Sequence, residues 1–67
     1  MYFVVKENAQ IENENYVTYG ITPSEDSRFM LHDVTVDVKE AYRIADLLTK
    51  NNVELVHFKD VVEDEIQ

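Results

Sequence analysis

The 67-residue chain has no cysteine and no tryptophan, one glycine and one proline. Without cysteine it can form neither a disulfide staple nor a thiolate-built zinc site. A lone glycine, Gly20, cannot supply the run of exposed amides that cradles a phosphate. Positive charge is scarce too: six Lys and Arg stand against fourteen Asp and Glu, for a net charge of −8. Nucleic acids and anionic membranes are gripped by clustered Lys and Arg, so neither is an expected partner. No apolar run approaches the ~18 residues of a membrane span, and Met1–Val5 is too short and lacks the basic flank of a signal peptide. The cytosol is the expected location.

What is present is a globular composition, 45% hydrophobic with four tyrosines and three phenylalanines, too apolar for intrinsic disorder. Residues 1–67 are read as one domain. A core of this size supplies only ~3–5 kcal/mol of net stability, and such domains often lean on a second subunit. The acidity is spread along the chain: in residues 1–36, Lys6 and Arg28 face Glu7, Glu12, Glu14, Glu25, Asp26 and Asp33. Its plain reading is solubility. Its sharper one is attraction to a basic partner, in the extreme an acidic decoy of nucleic acid.

Three strand-like runs come first. Tyr2-Phe3-Val4-Val5 opens a strand over 2–11, in which Phe3, Val5, Ala9 and Ile11 share one alternating face interrupted by Glu7. The Glu12-Asn13-Glu14-Asn15 cluster reads as a turn. Tyr16–Thr22 follows, with Val17, Tyr19 and Ile21 on one face and Tyr16, Thr18, Gly20 and Thr22 on the other. Gly20 marks a kink or a close backbone approach. Pro23 to Ser27 closes the strand. In Arg28–Val36 the phase changes: Phe29 and Leu31 alternate on one face, Val34 and Val36 on the other, and a bulge at His32-Asp33 would bring all four to the core. Short links imply an antiparallel meander.

Helical spacing takes over at Asp37. Asp37 and Glu40 form a capping-box arrangement; Val38, Ala41, Tyr42, Ala45 and Leu48 make an apolar stripe flanked by Ile44. Asp46 precedes Lys50 by four residues in the favourable order, and Asn51-Asn52 suits a left-handed C-terminal cap. The remainder has two readings: a helix over about Glu54–Ile66, or a short strand over Val53–Phe58 and then a short helix. Acidic Glu63, Asp64 and Glu65 sit at the negative end of the first, whose last turn is expected to fray. The expected architecture is α+β: a three-stranded antiparallel β-meander followed by two helices packed on one face, in the order β-β-β-α-α.

Candidate chemistry is thin. His57, Asp60 and Asp64, three and four residues apart, share a helical face, and His32 beside the bulge could approach them. Two imidazoles and two carboxylates could ligate a divalent ion, although the same spacing arises readily in an acidic helix whose side chains are merely solvated. Ser24 and Ser27 sit in a loop with no histidine near them in sequence, and catalysis is not expected, nor is a cofactor. Docking is better supplied. With Phe3, Val5, Val17, Tyr19, Ile21, Phe29 and Leu31 turned to the helices, the reverse of the sheet carries Tyr2, Val4, Tyr16, Thr18, Met30 and His32, an apolar surface rich in tyrosine. Leu47 projects toward the polar side of its helix and must meet the last helix or another chain.

Three segments, Tyr19-Gly20-Ile21, Asp33-Val34-Thr35 with Asp37, and His57-Phe58-Lys59-Asp60-Val61-Val62-Glu63-Asp64, together resemble a family of small uncharacterised proteins from clostridial-type Gram-positive bacteria, a domain of unknown function. The resemblance implies a bacterial cytosolic setting and no activity, and it singles out His57, Asp60 and Asp64 again without a role. The reading is a non-enzymatic protein-interaction or regulatory module that binds a protein partner or itself as a homodimer. A divalent-metal or small-ligand binding protein is the alternative.

Overall fold

The computed structural model describes residues 1–66. Strands β1 (Tyr2–Ile11), β2 (Glu14–Pro23) and β3 (Leu31–Thr35) are followed by helices α1 (Val38–Lys50) and α2 (Leu55–Ile66). The strands form one antiparallel sheet in the order β1-β2-β3. This is the expected β-β-β-α-α meander, with a longer β2 and a shorter β3. A short 3₁₀ turn at Ser27–Phe29, capped by the Asp26 carboxylate accepting from the Arg28 amide, replaces the expected start of β3.

β1 and β2 are joined by Glu12-Asn13 alone, with Glu12 at φ 56°. The register sets Tyr2 opposite Pro23, Val4 opposite Ile21 and Lys6 opposite Tyr19. Directly opposed residues of antiparallel strands share a face, so this register reverses the phase expected for β1. Ile21 is fully buried against the helices, as expected, and it carries Val4 and Tyr2 inward with it. Phe3, Val5, Ala9 and Ile11 do share a face, but it is the outer one. Tyr2 and Val4 are thereby removed from the expected docking face: Tyr2 is only 6% exposed and Val4 packs on the core. Four consecutive apolar residues look alike from both sides of a pleat; pairing chooses between them.

The core joins Tyr2 and Ile21 from the sheet to Ile44, Ala45 and Leu48 of α1 and Phe58 and Val62 of α2. The Tyr2 ring lies 4.8 Å from that of Phe58, tilted by 44°. Its hydroxyl donates to the Val53 carbonyl at 2.6 Å, which satisfies the polar end of a buried phenol. Helix α1 starts where Asp37 accepts from the amides of Lys39 and Glu40, at 3.0 and 3.4 Å. Glu40 does not complete the capping box; it pairs with Arg43. At the other end Asn52 adopts φ 47° and the Val53 amide donates to the Leu48 carbonyl at 3.1 Å, a left-handed cap that turns the chain into α2. The strand reading of Val53–Phe58 is overturned: Leu55 onward is helical, with Phe58 and Val62 buried one turn apart. Glu65, at its acidic end, accepts from Arg43 of α1 at 2.8 Å.

Several apolar positions fall outside the expected core. Tyr42 is 61% exposed, because the inward side of α1 is centred on Ala41, Ile44, Ala45 and Leu48 and Tyr42 lies at its margin, lining an open groove with the start of β1. Phe29 and Val36 also face solvent, and only Leu31 and Val34 of the third run reach the core.

The face assignment makes a stability prediction. Tyr2→Ala, which empties a buried ring site, should cost about 3–5 kcal/mol and abolish cooperative urea unfolding, whereas Phe3→Ala should cost about 1 kcal/mol or less. A larger loss for Phe3→Ala would show the phase of β1 to be wrong.

Candidate functional site

The outer face of the sheet, opposite the helices, carries a polar cluster that joins all three strands. Its starting point is β3, where Ile21 pairs with Leu31 but Tyr19 pairs with Thr35, so β3 holds extra residues against β2. The slack is taken up in a bulge in which Asp33 adopts φ 51°. This is the bulge expected at His32-Asp33, and it lets Leu31 and Val34 both reach the core. A left-handed conformation costs a non-glycine residue roughly 1–2 kcal/mol, less for aspartate. Three hydrogen bonds offset it, each worth about 0.5–1.5 kcal/mol net. The Asp33 amide donates to Glu7 Oε1 at 3.1 Å, Thr18 Oγ1 donates to Asp33 Oδ1 at 2.6 Å, and Tyr16 donates to Asp33 Oδ2 at 3.2 Å.

Glu7 reaches β3 from β1 by crossing β2 above Gly20. Its other oxygen accepts from His32 Nδ1 at 2.6 Å. A Cβ added to Gly20 would stand 2.5 Å from the Leu31 carbonyl oxygen and 2.8 Å from Glu7 Oε1, with the Met30 methyl at 3.2 Å. The lone glycine is therefore the gap through which the carboxylate passes, the close approach expected of it. The hydrogen bond from His32 holds the Glu7 carboxyl below its ordinary range; partial desolvation opposes this and the Asp33 amide adds to it. Tyr16 is raised, first by desolvation and then by its bond to the Asp33 carboxylate.

The expected docking residues are thus dispersed. Tyr16 and Met30 lie on the outer face, half-buried. Thr18 points to that face but is 1% exposed, enclosed by its bond to Asp33, and offers no contact surface. Tyr2 and Val4 face the core, and Leu47 is half-buried on α1. The expected metal set does not assemble. His32 engages Glu7, while His57, Asp60 and Asp64 are exposed on α2. Among the described residues no three histidine or carboxylate side chains come together so as to hold a metal ion. An open depression of about 490 Å³ lies elsewhere, between Met1, Glu25 and the 52–56 link. Sequence reasoning missed Glu7 and Asp33. Their signal was an acidic residue interrupting an otherwise apolar strand face and an aspartate, tolerant of φ > 0, at the bulge.

Residues 1–67 match a family described as one of unknown function, DUF6514. The chain belongs to that family. No curated protein and no solved structure matches it. The match spans all the elements that build this family member's polar bridge, from Glu7 through Gly20 to Asp33. Among the described residues no helix is long and apolar enough to cross a membrane.

Two measurements probe the bridge. Gly20→Ala should destabilise by about 1–3 kcal/mol in urea, the cost of forcing volume into a packed site; an unchanged midpoint would refute the crossing. Because folding lowers the Glu7 pKa, its stabilisation is full above the ordinary value of 4.5 and is lost as pH falls through the lower folded value. Glu7→Gln should therefore be less stable than wild type at neutral pH, with the difference shrinking as pH falls below the ordinary value of 4.5. A difference independent of pH would remove the charge from the account.

Proposed function

We propose that this protein acts without catalysis, as a docking module that binds another protein through the outer face of its sheet. The observation that carries this reading is an apolar margin around a braced polar centre. Phe3 is 48% exposed and Ile11 63% exposed, and half-buried Val5 and Met30 lie between Phe3 and the Glu7–His32–Asp33 bridge. None of the core residues of either helix lies on that side. The carboxylates there are already answered by donors, Glu7 by His32 and the Asp33 amide, Asp33 by Thr18 and Tyr16. Covering them with a partner costs less than burying free charges. A face held in one shape before binding loses little ordering entropy on contact. The resemblance to small clostridial-type proteins supports a setting in the cytosol of a Gram-positive bacterium. The metal-binding alternative has no support in the positions of His32, His57, Asp60 and Asp64.

Capture from a lysate of the producing cells, repeated with variants, tests the face. Phe3→Asp should lower recovery of a specifically bound protein about tenfold or more, equivalent to at least ~1.4 kcal/mol of binding. Val56→Asp, at an exposed position of α2, should leave recovery unchanged, with both variants folded by circular dichroism. Equal recovery from both would reject the outer face.

A further inference from the structure

On the outer face the hydrogen-bond donors are spent and the acceptors are not. The carboxylates of Glu7 and Asp33 receive the His32 Nδ1 hydrogen, the Asp33 amide and the hydroxyls of Thr18 and Tyr16. A carboxylate has about four lone-pair sites, so two bonds leave each about half used. His32 Nδ1 lies 2.6 Å from an ionised carboxylate that only accepts, so this nitrogen carries a hydrogen. Nε2 of the neutral ring is then left as one more acceptor. The His32 side chain is 69% exposed, and Asp33 is exposed beside it. A partner laid on this bridge meets acceptors and must bring donors.

The donors must also be cationic. Hydrogen bonds from uncharged groups do not cancel charge; Glu7 and Asp33 are both acidic, and protonating His32 would cancel only one of them. No Lys or Arg shares this side of the strands. Lys39, Arg43 and Lys50 stand on α1 and Lys59 on α2. Lys6 lies opposite Tyr19 on the inner side of β1. Arg28, in the 3₁₀ turn, is bound to Asp26 through Nε at 3.0 Å and a terminal nitrogen at 2.7 Å. Covering an uncompensated carboxylate with an apolar or acidic surface is costly, and a cation relieves that cost. The same charge repels a second copy of this acidic chain.

We infer, resting on the docking reading above, that the outer face receives a basic protein segment. An arginine of that segment sits on the Glu7–Asp33 pair, and an apolar neighbour covers Phe3 and Val5. Arginine brings donors only, and its planar fork suits two carboxylates and the face of a ring such as Tyr16. Phe3, Val5 and Glu7 follow one another on the outer side of β1, about 7 Å apart at each step. The segment thus presents its cation and its apolar group on one side, about 7–13 Å apart, as alternate strand residues do.

NMR titration of the isotope-labelled protein with two short synthetic peptides tests this. One peptide alternates leucine with arginine, the other leucine with citrulline, the uncharged isostere of arginine. The arginine peptide should shift the amides of Val5, Glu7, Thr18 and Asp33 and bind about tenfold tighter or more than the citrulline peptide. Its binding should weaken as NaCl rises from about 0.05 to about 0.5 M. Asp33→Asn keeps an acceptor and the tolerance of φ > 0, and should reduce the arginine advantage, whereas Asp60→Asn on α2 should not. Equal affinity of both peptides for the outer face overturns the inference and leaves the docking reading standing, since that reading is judged by Phe3→Asp. Shifts centred on the acidic residues of the helices, or no shifts, overturn it too. Should Asp33→Asn not fold, the two peptides compared on the wild-type protein decide.

Discussion

The Glu7 carboxylate crosses the central strand above Gly20 and ends on β3, accepting from the His32 ring and the Asp33 amide. β3 is only five residues long and pairs with β2 at a few positions. On its own it would be a weak edge. The bridge ties it to β1 as well, so one side chain links all three strands. Its geometry needs a glycine beneath it and a residue tolerant of φ > 0 at its far end, and Gly20 and Asp33 meet those needs. The bulge so fixed turns Leu31 and Val34 together toward the core. The core and the outer face are thus shaped by the same contact.

A chain of this size has little stability to lose, and its other ion pairs add little. Lys50–Asp46 is largely exposed, and so is the arginine of Arg28–Asp26; such surface pairs are worth about 0–1 kcal/mol. Arg43 is a partial exception, because it joins Glu40 within α1 to Glu65 of α2. It draws the Glu40 carboxyl down and is itself raised by both partners. Burial of Tyr2, Ile21, Leu48 and Phe58 supplies the larger share, at about 1.5–3 kcal/mol for each large side chain.

Much of this fold was legible in the sequence because local chemistry dictated it. Asp37 caps α1, Asn52 adopts the left-handed conformation at its end, Asp46 pairs with Lys50, and the bulge falls at His32-Asp33. The phase of β1 was not legible. Tyr2-Phe3-Val4-Val5 is apolar on both sides, and only pairing with Ile21 and Pro23 decides which side is inner. That one ambiguity moved Tyr2 and Val4 from the candidate docking face to the core and put Phe3 and Val5 in their place. A helical wheel puts Tyr42 in the core because it does not show which of its residues the sheet covers, and Tyr42 stays exposed. The Glu7–His32 contact joins residues twenty-five apart, a separation no local pattern encodes. Once the polar residues of the outer face are seen to satisfy one another, that face reads as a braced surface.

The most direct test of this account is the exchange rate of the Asp33 amide, followed by NMR in deuterated buffer at neutral pH. The account places that amide on the surface yet bonded to Glu7, and predicts exchange at least about tenfold slower than in an unstructured chain, with the protection lost in Glu7→Ala while the Ile44 and Leu48 amides keep theirs. Exchange at the unstructured rate in the wild-type protein would mean that no bridge spans the sheet.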